Sequence, residues 1–131
     1  MTTTSNIVYI IEDDADGRLA TQMLLELSGW KVTAFVSAEE FLAAFADLQP
    51  GCLLIDYRMP GMSGMQLVQL LRERGVHWPV VMLSGHAEPP TIEAALAAGV
   101  SEFLLKPVIS ADLRNSVRRQ FDAHFAKASR D

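Results

Sequence analysis

Four short apolar runs in this chain each end on a polar residue, and no other feature restricts its fold as much. Ile7-Val8-Tyr9-Ile10-Ile11 leads into Glu12-Asp13, Cys52-Leu53-Leu54-Ile55 into Asp56, Val80-Val81-Met82-Leu83 into Ser84, and Phe103-Leu104-Leu105 into Lys106. Continuous apolar runs this short, set between helical patterns, read as strands buried on both faces. Side by side in one parallel sheet, they bring Glu12, Asp13, Asp56, Ser84 and Lys106 to a single carboxyl edge. Open α/β sheets bind their ligands at that edge. Three carboxylates, a hydroxyl and an ammonium there suit a divalent cation and a phosphoryl group.

Strand-like and helix-like segments alternate along the whole chain. After Ile7–Ile11 comes a helical pattern over 17–28, with Leu19, Met23, Leu24 and Leu27 at helical spacing and Gly29 as its stop. Asp14 and Asp16 suit the cap and first turn of that helix. Lys31–Phe35 alternates polar and apolar residues, as an edge strand does. Ser37 and Glu40 stand at capping-box spacing ahead of a helix over 38–46. The turn Pro50-Gly51 precedes a strand over 52–55. Ser63 and Gln66 repeat the capping-box spacing before a helix over 64–74, with Leu67, Leu70 and Leu71 on its inner side. A strand over 80–83, a helix over 91–98 behind Pro89-Pro90 and ahead of Gly99, and the strand Glu102–Leu105 follow. The last helix, over 111–126, carries Leu113, Val117, Phe121 and Phe125 on one side. This alternation implies a parallel sheet with right-handed crossovers.

The 131 residues show no repeat or linker and read as one domain over 1–131, with a folded core over 5–126 and a polar tail, Lys127–Asp131. A formal net charge of -5 argues against binding of nucleic acid by this domain itself. Cys52 is the single cysteine and opens an apolar run, so it reads as a buried structural thiol. Residues 1–5 lack the basic and apolar segments of a signal peptide, and no apolar stretch is long enough to span a bilayer. The expected location is the cytoplasm.

Taken together, these residues resemble the receiver domain of two-component response regulators. The resemblance covers nearly the whole chain. It rests on the acidic pair Glu12-Asp13, the lone Asp56, Ser84, and Lys106-Pro107, each at the end of its strand in order. The stretch Asp56-Tyr57-Arg58-Met59-Pro60-Gly61-Met62-Ser63-Gly64 is close to the family's signature loop. Arg58-Met59-Pro60 and Ser84-Gly85-His86-Ala87 look most like FixJ-type receivers. The resemblance implies a flavodoxin-like (βα)5 fold, a doubly wound five-stranded parallel sheet in order 2-1-3-4-5.

The resemblance also implies roles. Asp56 is the phosphoacceptor, attacking phosphorus to form an aspartyl phosphate. A carboxylate approaching an anionic phosphoryl group needs a counter-cation, and Mg²⁺, or alternatively Mn²⁺, suits an oxygen-rich site. Asp13 and Asp56 are the implied direct ligands, with Glu12 acting directly or through water and the Arg58 backbone carbonyl completing the set. Lys106 and Ser84 are the implied partners of the phosphoryl oxygens. The Lys106-Pro107 peptide is implied to be cis. Ser84 and Phe103 are the implied switch pair, moving the surface of the fourth helix, fifth strand and fifth helix. Phe103 reads equally well as a plain core aromatic, and it lacks the hydroxyl of the tyrosine often found there. Arg58 and His86 flank the path of attacking water and are expected to tune the lifetime of the phosphorylated state. For His86, an exposed loop histidine is the equal alternative. The implied partners are a sensor histidine kinase and a second copy of the domain through the same switching surface. The downstream partner or output domain is left open. The basic residues Arg114, Arg118, Arg119 and Lys127 read as a solvated face, with a partner surface as the other reading.

Two other classes compete. A haloacid-dehalogenase-type phosphatase, an Mg²⁺-dependent enzyme working through an aspartyl phosphate, needs a second aspartate two residues after the first, where this chain has Arg58. A pseudo-receiver acting only as a docking module would have lost part of the site, and no part is missing here. No glycine-rich nucleotide-binding motif is present. The expectation is a switch whose only chemistry is self-phosphorylation and autodephosphorylation.

Overall fold

A computed structural model of the chain describes residues 6–86 and 88–125. Five strands alternate with five α-helices: β1 (Ile7–Ile11), α1 (Ala15–Leu27), β2 (Lys31–Phe35), α2 (Ala38–Ala44), β3 (Cys52–Asp56), α3 (Gly64–Glu73), β4 (Val80–Ser84), α4 (Pro89–Ala97), β5 (Glu102–Leu105) and α5 (Ser110–His124). A single 3₁₀ turn, Phe45–Asp47, tightens the end of α2. The strands form one sheet in the order β2-β1-β3-β4-β5, every pair parallel. No described helix is long and apolar enough to cross a membrane. The tail Lys127–Asp131 and the two ends of the 5–126 core lie outside the described residues.

Strand side chains alternate between faces, so each central strand feeds two cores. Tyr9, Ile11, Leu53, Ile55, Val80 and Met82 pack on one face with Phe41 of α2 and Leu67, Val68 and Leu71 of α3. Val8, Ile10, Leu54, Val81 and Leu83 pack on the other with Leu25 of α1 and Leu113, Val117 and Phe121 of α5. Cys52 is fully buried in this second core. Burial on both faces explains why β3 and β4 carry unbroken apolar runs, while the edge strand β2 alternates.

The caps follow the sequence closely. Asp14 caps α1 by accepting from the Gly17 amide; Ser37 caps α2 by accepting from the Glu40 amide, but the expected box is not reciprocal, since the Glu40 carboxylate accepts from the Val36 amide instead. Ser63 and Gln66 form a reciprocal capping box on α3. Pro89 and Pro90 form the first turn of α4 instead of preceding it, since a helix's first amides need no intrahelical acceptor.

The inner face of α1 differs from the expected one. Leu19, Met23 and Leu27 are 57%, 53% and 86% exposed, and the fully buried residue is Leu25, with Leu24 half-buried. Leucines at 24, 25 and 27 allow two overlapping apolar stripes, and spacing alone does not choose between them. The Asp14 cap and the return through Trp30, whose amide donates to the Leu25 carbonyl, set the rotation of the helix.

Candidate functional site

The strand ends bring the chemistry together as the register demands. Asp56 is the last residue of β3 and Ser84 the last of β4; both are buried. Pairing continues just past the strands: Tyr57 donates its amide to the Leu83 carbonyl at 2.8 Å, and Lys106 donates to the Ser84 carbonyl at 2.8 Å. Glu12, also buried, is held by its amide on the Phe35 carbonyl, whereas Asp13 is exposed. A β-carbon on Gly64 would run into the Asp56 carbonyl, so glycine lets α3 begin hard against the end of β3.

Lys106 is the electrostatic centre. Its Nζ lies 2.8 Å from Glu12 Oε1 and 3.0 Å from Asp56 Oδ1. Burial pushes the Asp56 carboxyl up, to about 6; the Lys106 hydrogen bond pulls it down and the negative Glu12 beside it adds to the rise. Burial pulls the Lys106 ammonium down, but its bonds to Glu12 and Asp56 outweigh that and hold it above its ordinary value. One carboxylate oxygen each from Glu12, Asp13 and Asp56 lie within 4.8 Å of one another. Three hard oxygen donors at that spacing, one of them open to solvent, fit Mg²⁺, which keeps several of its waters.

Ser84 lies beside this cluster but turns its hydroxyl to its own loop. The Oγ donates to the His86 carbonyl at 2.8 Å and accepts from the His86 amide at 3.2 Å. Arg58 and His86 are exposed and, with Tyr57, Glu88 and Thr91, line a polar cavity of about 240 Å³. Phe103 is half-buried against the α2–α3 core, its ring 6.3 Å from that of Tyr57. The Lys106-Pro107 peptide is cis.

Two contacts at the site have no counterpart in the sequence reading. Tyr57, next to Asp56 in the chain, has its ring 6.3 Å from that of Phe103. Arg18 of α1 donates from Nη1 to the carbonyls of Glu12 at 2.8 Å and Asp13 at 3.3 Å. A signal for Arg18 exists: helical side chains lean toward the N-terminus, so an arginine one turn past an acidic pair reaches back over it.

A two-faced parallel sheet with an acidic cluster, a lysine and a hydroxyl at its carboxyl edge defines a phosphoacceptor switch domain. The family model for the response regulator receiver domain matches residues 8–118, and the chain belongs to that family. The transcriptional regulatory protein FixJ of Azorhizobium caulinodans is 40% identical over 111 residues, which cover 85% of this chain and 53% of that protein. The response regulator protein TmoT of Ectopseudomonas mendocina is 36% identical over 113 residues, 86% of this chain and 51% of the relative. A crystal structure of FixJ-N superposes with a TM-score of 0.84 at 30% identity, covering 92% of this chain and 96% of that one. The chain thus spans about half the length of these curated relatives. Its class of function is that of a signalling switch in two-component systems.

Proposed function

We propose that Asp56 accepts a phosphoryl group from a sensor histidine kinase, in a magnesium-dependent reaction, and that phosphorylation reshapes the surface of α4, β5 and α5. The observation that carries this reading is the Lys106 ammonium lying between the Glu12 and Asp56 carboxylates beside Asp13. In the transfer, the bond from phosphorus to the donor nitrogen breaks as a bond to an Asp56 carboxylate oxygen forms. Mg²⁺, when bound, supplies positive charge against the repulsion between carboxylate and phosphoryl oxygens.

The residues divide the work. Glu12, Asp13, Asp56 and the Arg58 carbonyl hold the ion. Lys106 exchanges part of its contact with Asp56 for a phosphoryl oxygen. Ser84 gives up its bond to the His86 carbonyl and donates to another phosphoryl oxygen, which frees the β4–α4 loop. Phe103 follows by packing, since it carries no hydroxyl. Arg58 and His86 line the rim of the 240 Å³ cavity and tune the lifetime of the phosphoryl group, Arg58 by screening it from water and lengthening its life. Self-phosphorylation and autodephosphorylation are the only chemistry: Arg58 stands where a phosphatase of this kind needs a second aspartate.

The receiver domain works in the cytoplasm and pairs with a second copy through α4, β5 and α5. Its net charge of -5 argues against binding of nucleic acid by this domain itself, and the downstream partner or output domain is left open. Intact-mass analysis after incubation with acetyl phosphate tests the reading. One phosphoryl group is expected with Mg²⁺, little in EDTA, and none in Asp56→Asn; labelling that persists in Asp56→Asn overturns the assignment.

A further inference from the structure

The β1–α1 loop faces an electrostatic problem, because Glu12, Asp13 and Asp14 are consecutive carboxylates. Glu12 is buried and turned to Lys106, Asp13 reaches the same cluster, and Asp14 is spent on the cap of α1. Mutual repulsion works to spread such a loop. Something must therefore hold its backbone.

Arg18 is the fourth residue of α1, one turn beyond the Asp14 cap. It is surrounded in sequence by Asp13, Asp14 and Asp16, yet among the described residues it makes no carboxylate ion pair. Its side-chain bonds go to main-chain oxygens instead, those of Glu12 at 2.8 Å and Asp13 at 3.3 Å. One guanidinium nitrogen thus ties together the carbonyls of two adjacent residues whose carboxylates both face Asp56. Such a bond to a charged donor is stronger than a neutral one, and it joins two neighbouring carbonyls of the loop through one donor nitrogen.

We propose that Arg18 is a positioning residue for the cation site: it fixes the Glu12–Asp13 backbone so that both carboxylates point at Asp56 before an ion arrives. The proposal rests on the magnesium-dependent reading above and adds a residue to it.

Its test exploits a sign. Arg18 carries a positive charge near three carboxylates, and removing that charge alone would tighten cation binding. Removing the hold would weaken it. Titration calorimetry with MgCl₂ on the full chain, with thermal melts of each variant, separates the two. R18M, which keeps the stem and loses every donor, is expected to bind Mg²⁺ about fivefold more weakly. R18K, which keeps the charge and one reach of donor, is expected to fall between R18M and wild type. A merely structural role would lower the melting temperature and leave the Mg²⁺ affinity unmoved. Unchanged or tighter binding in R18M, or R18K no better than R18M, overturns the proposal. If R18M does not fold, R18K decides alone: weaker binding supports the hold, and unchanged or tighter binding refutes it. A wild-type chain that binds no Mg²⁺ would instead bring down the reading on which the proposal stands.

Discussion

Asp56 is a buried carboxylate whose proton the folded chain holds more tightly than the unfolded chain does. Its value rises from the ordinary 3.8 to about 6, chiefly through burial. Folding therefore gains from Asp56 protonation below pH ~4, and that gain is lost as the pH rises through about 6. Without metal, Asp56→Asn should thus stabilise the protein at pH 8, by on the order of 1 kcal/mol once the carboxylate's partial contact with water is allowed for. The difference should shrink as the pH falls toward 4, an effect read by chemical denaturation in EDTA at several pH values. A mutant no more stable than wild type at pH 8 would mean that Lys106 fully compensates the buried charge. Identity at this scale was legible in the sequence, because strand ends fix which residues reach the edge. Partnership was not: nothing in the spacing assigns Lys106 to two carboxylates or turns the Ser84 hydroxyl toward His86.

Among the elements, α1 is the one whose orientation the apolar pattern left open. Leu25 is fully buried against Val8, Ile10 and Leu54, while Leu27, two residues on, is 86% exposed. Leu25→Ala should cost about 2–5 kcal/mol in denaturant unfolding, through lost burial and the cavity left behind. Leu27→Lys should change stability by no more than about 0.5 kcal/mol. The reverse ranking would mean that the helix presents its other stripe to the sheet. Helix α3 was readable because it has one inner stripe and a firm capping box, Ser63 with Gln66. The start of α4 moved because proline suits a first turn as well as the residue before it.

Across the whole molecule, the site and the α4–β5–α5 surface are joined through β4 and β5. Ser84 is paired in register with Leu105, and its hydroxyl holds the loop that leads to α4. Phe103 packs two residues earlier on β5, against Tyr57 next to Asp56. If phosphorylation draws the Ser84 hydroxyl away from His86, amide protection in α4 and β5 should change on phosphorylation. Ser84→Ala should still be phosphorylated at Asp56 yet lose most of that change in hydrogen exchange. An unaltered exchange response in Ser84→Ala would place the coupling elsewhere.

From the sequence alone came the parallel order of the strands, the family, and the five polar residues that share the sheet's edge. Period and capping are local properties, written in neighbouring residues, and a parallel sheet turns them into positions. The tertiary structure decided what depends on distance between remote segments. It set the Lys106 contacts with Glu12, 94 residues away, and with Asp56, and the rotation of α1. Those follow from packing two cores on opposite faces of one sheet, and no window along the chain contains both partners.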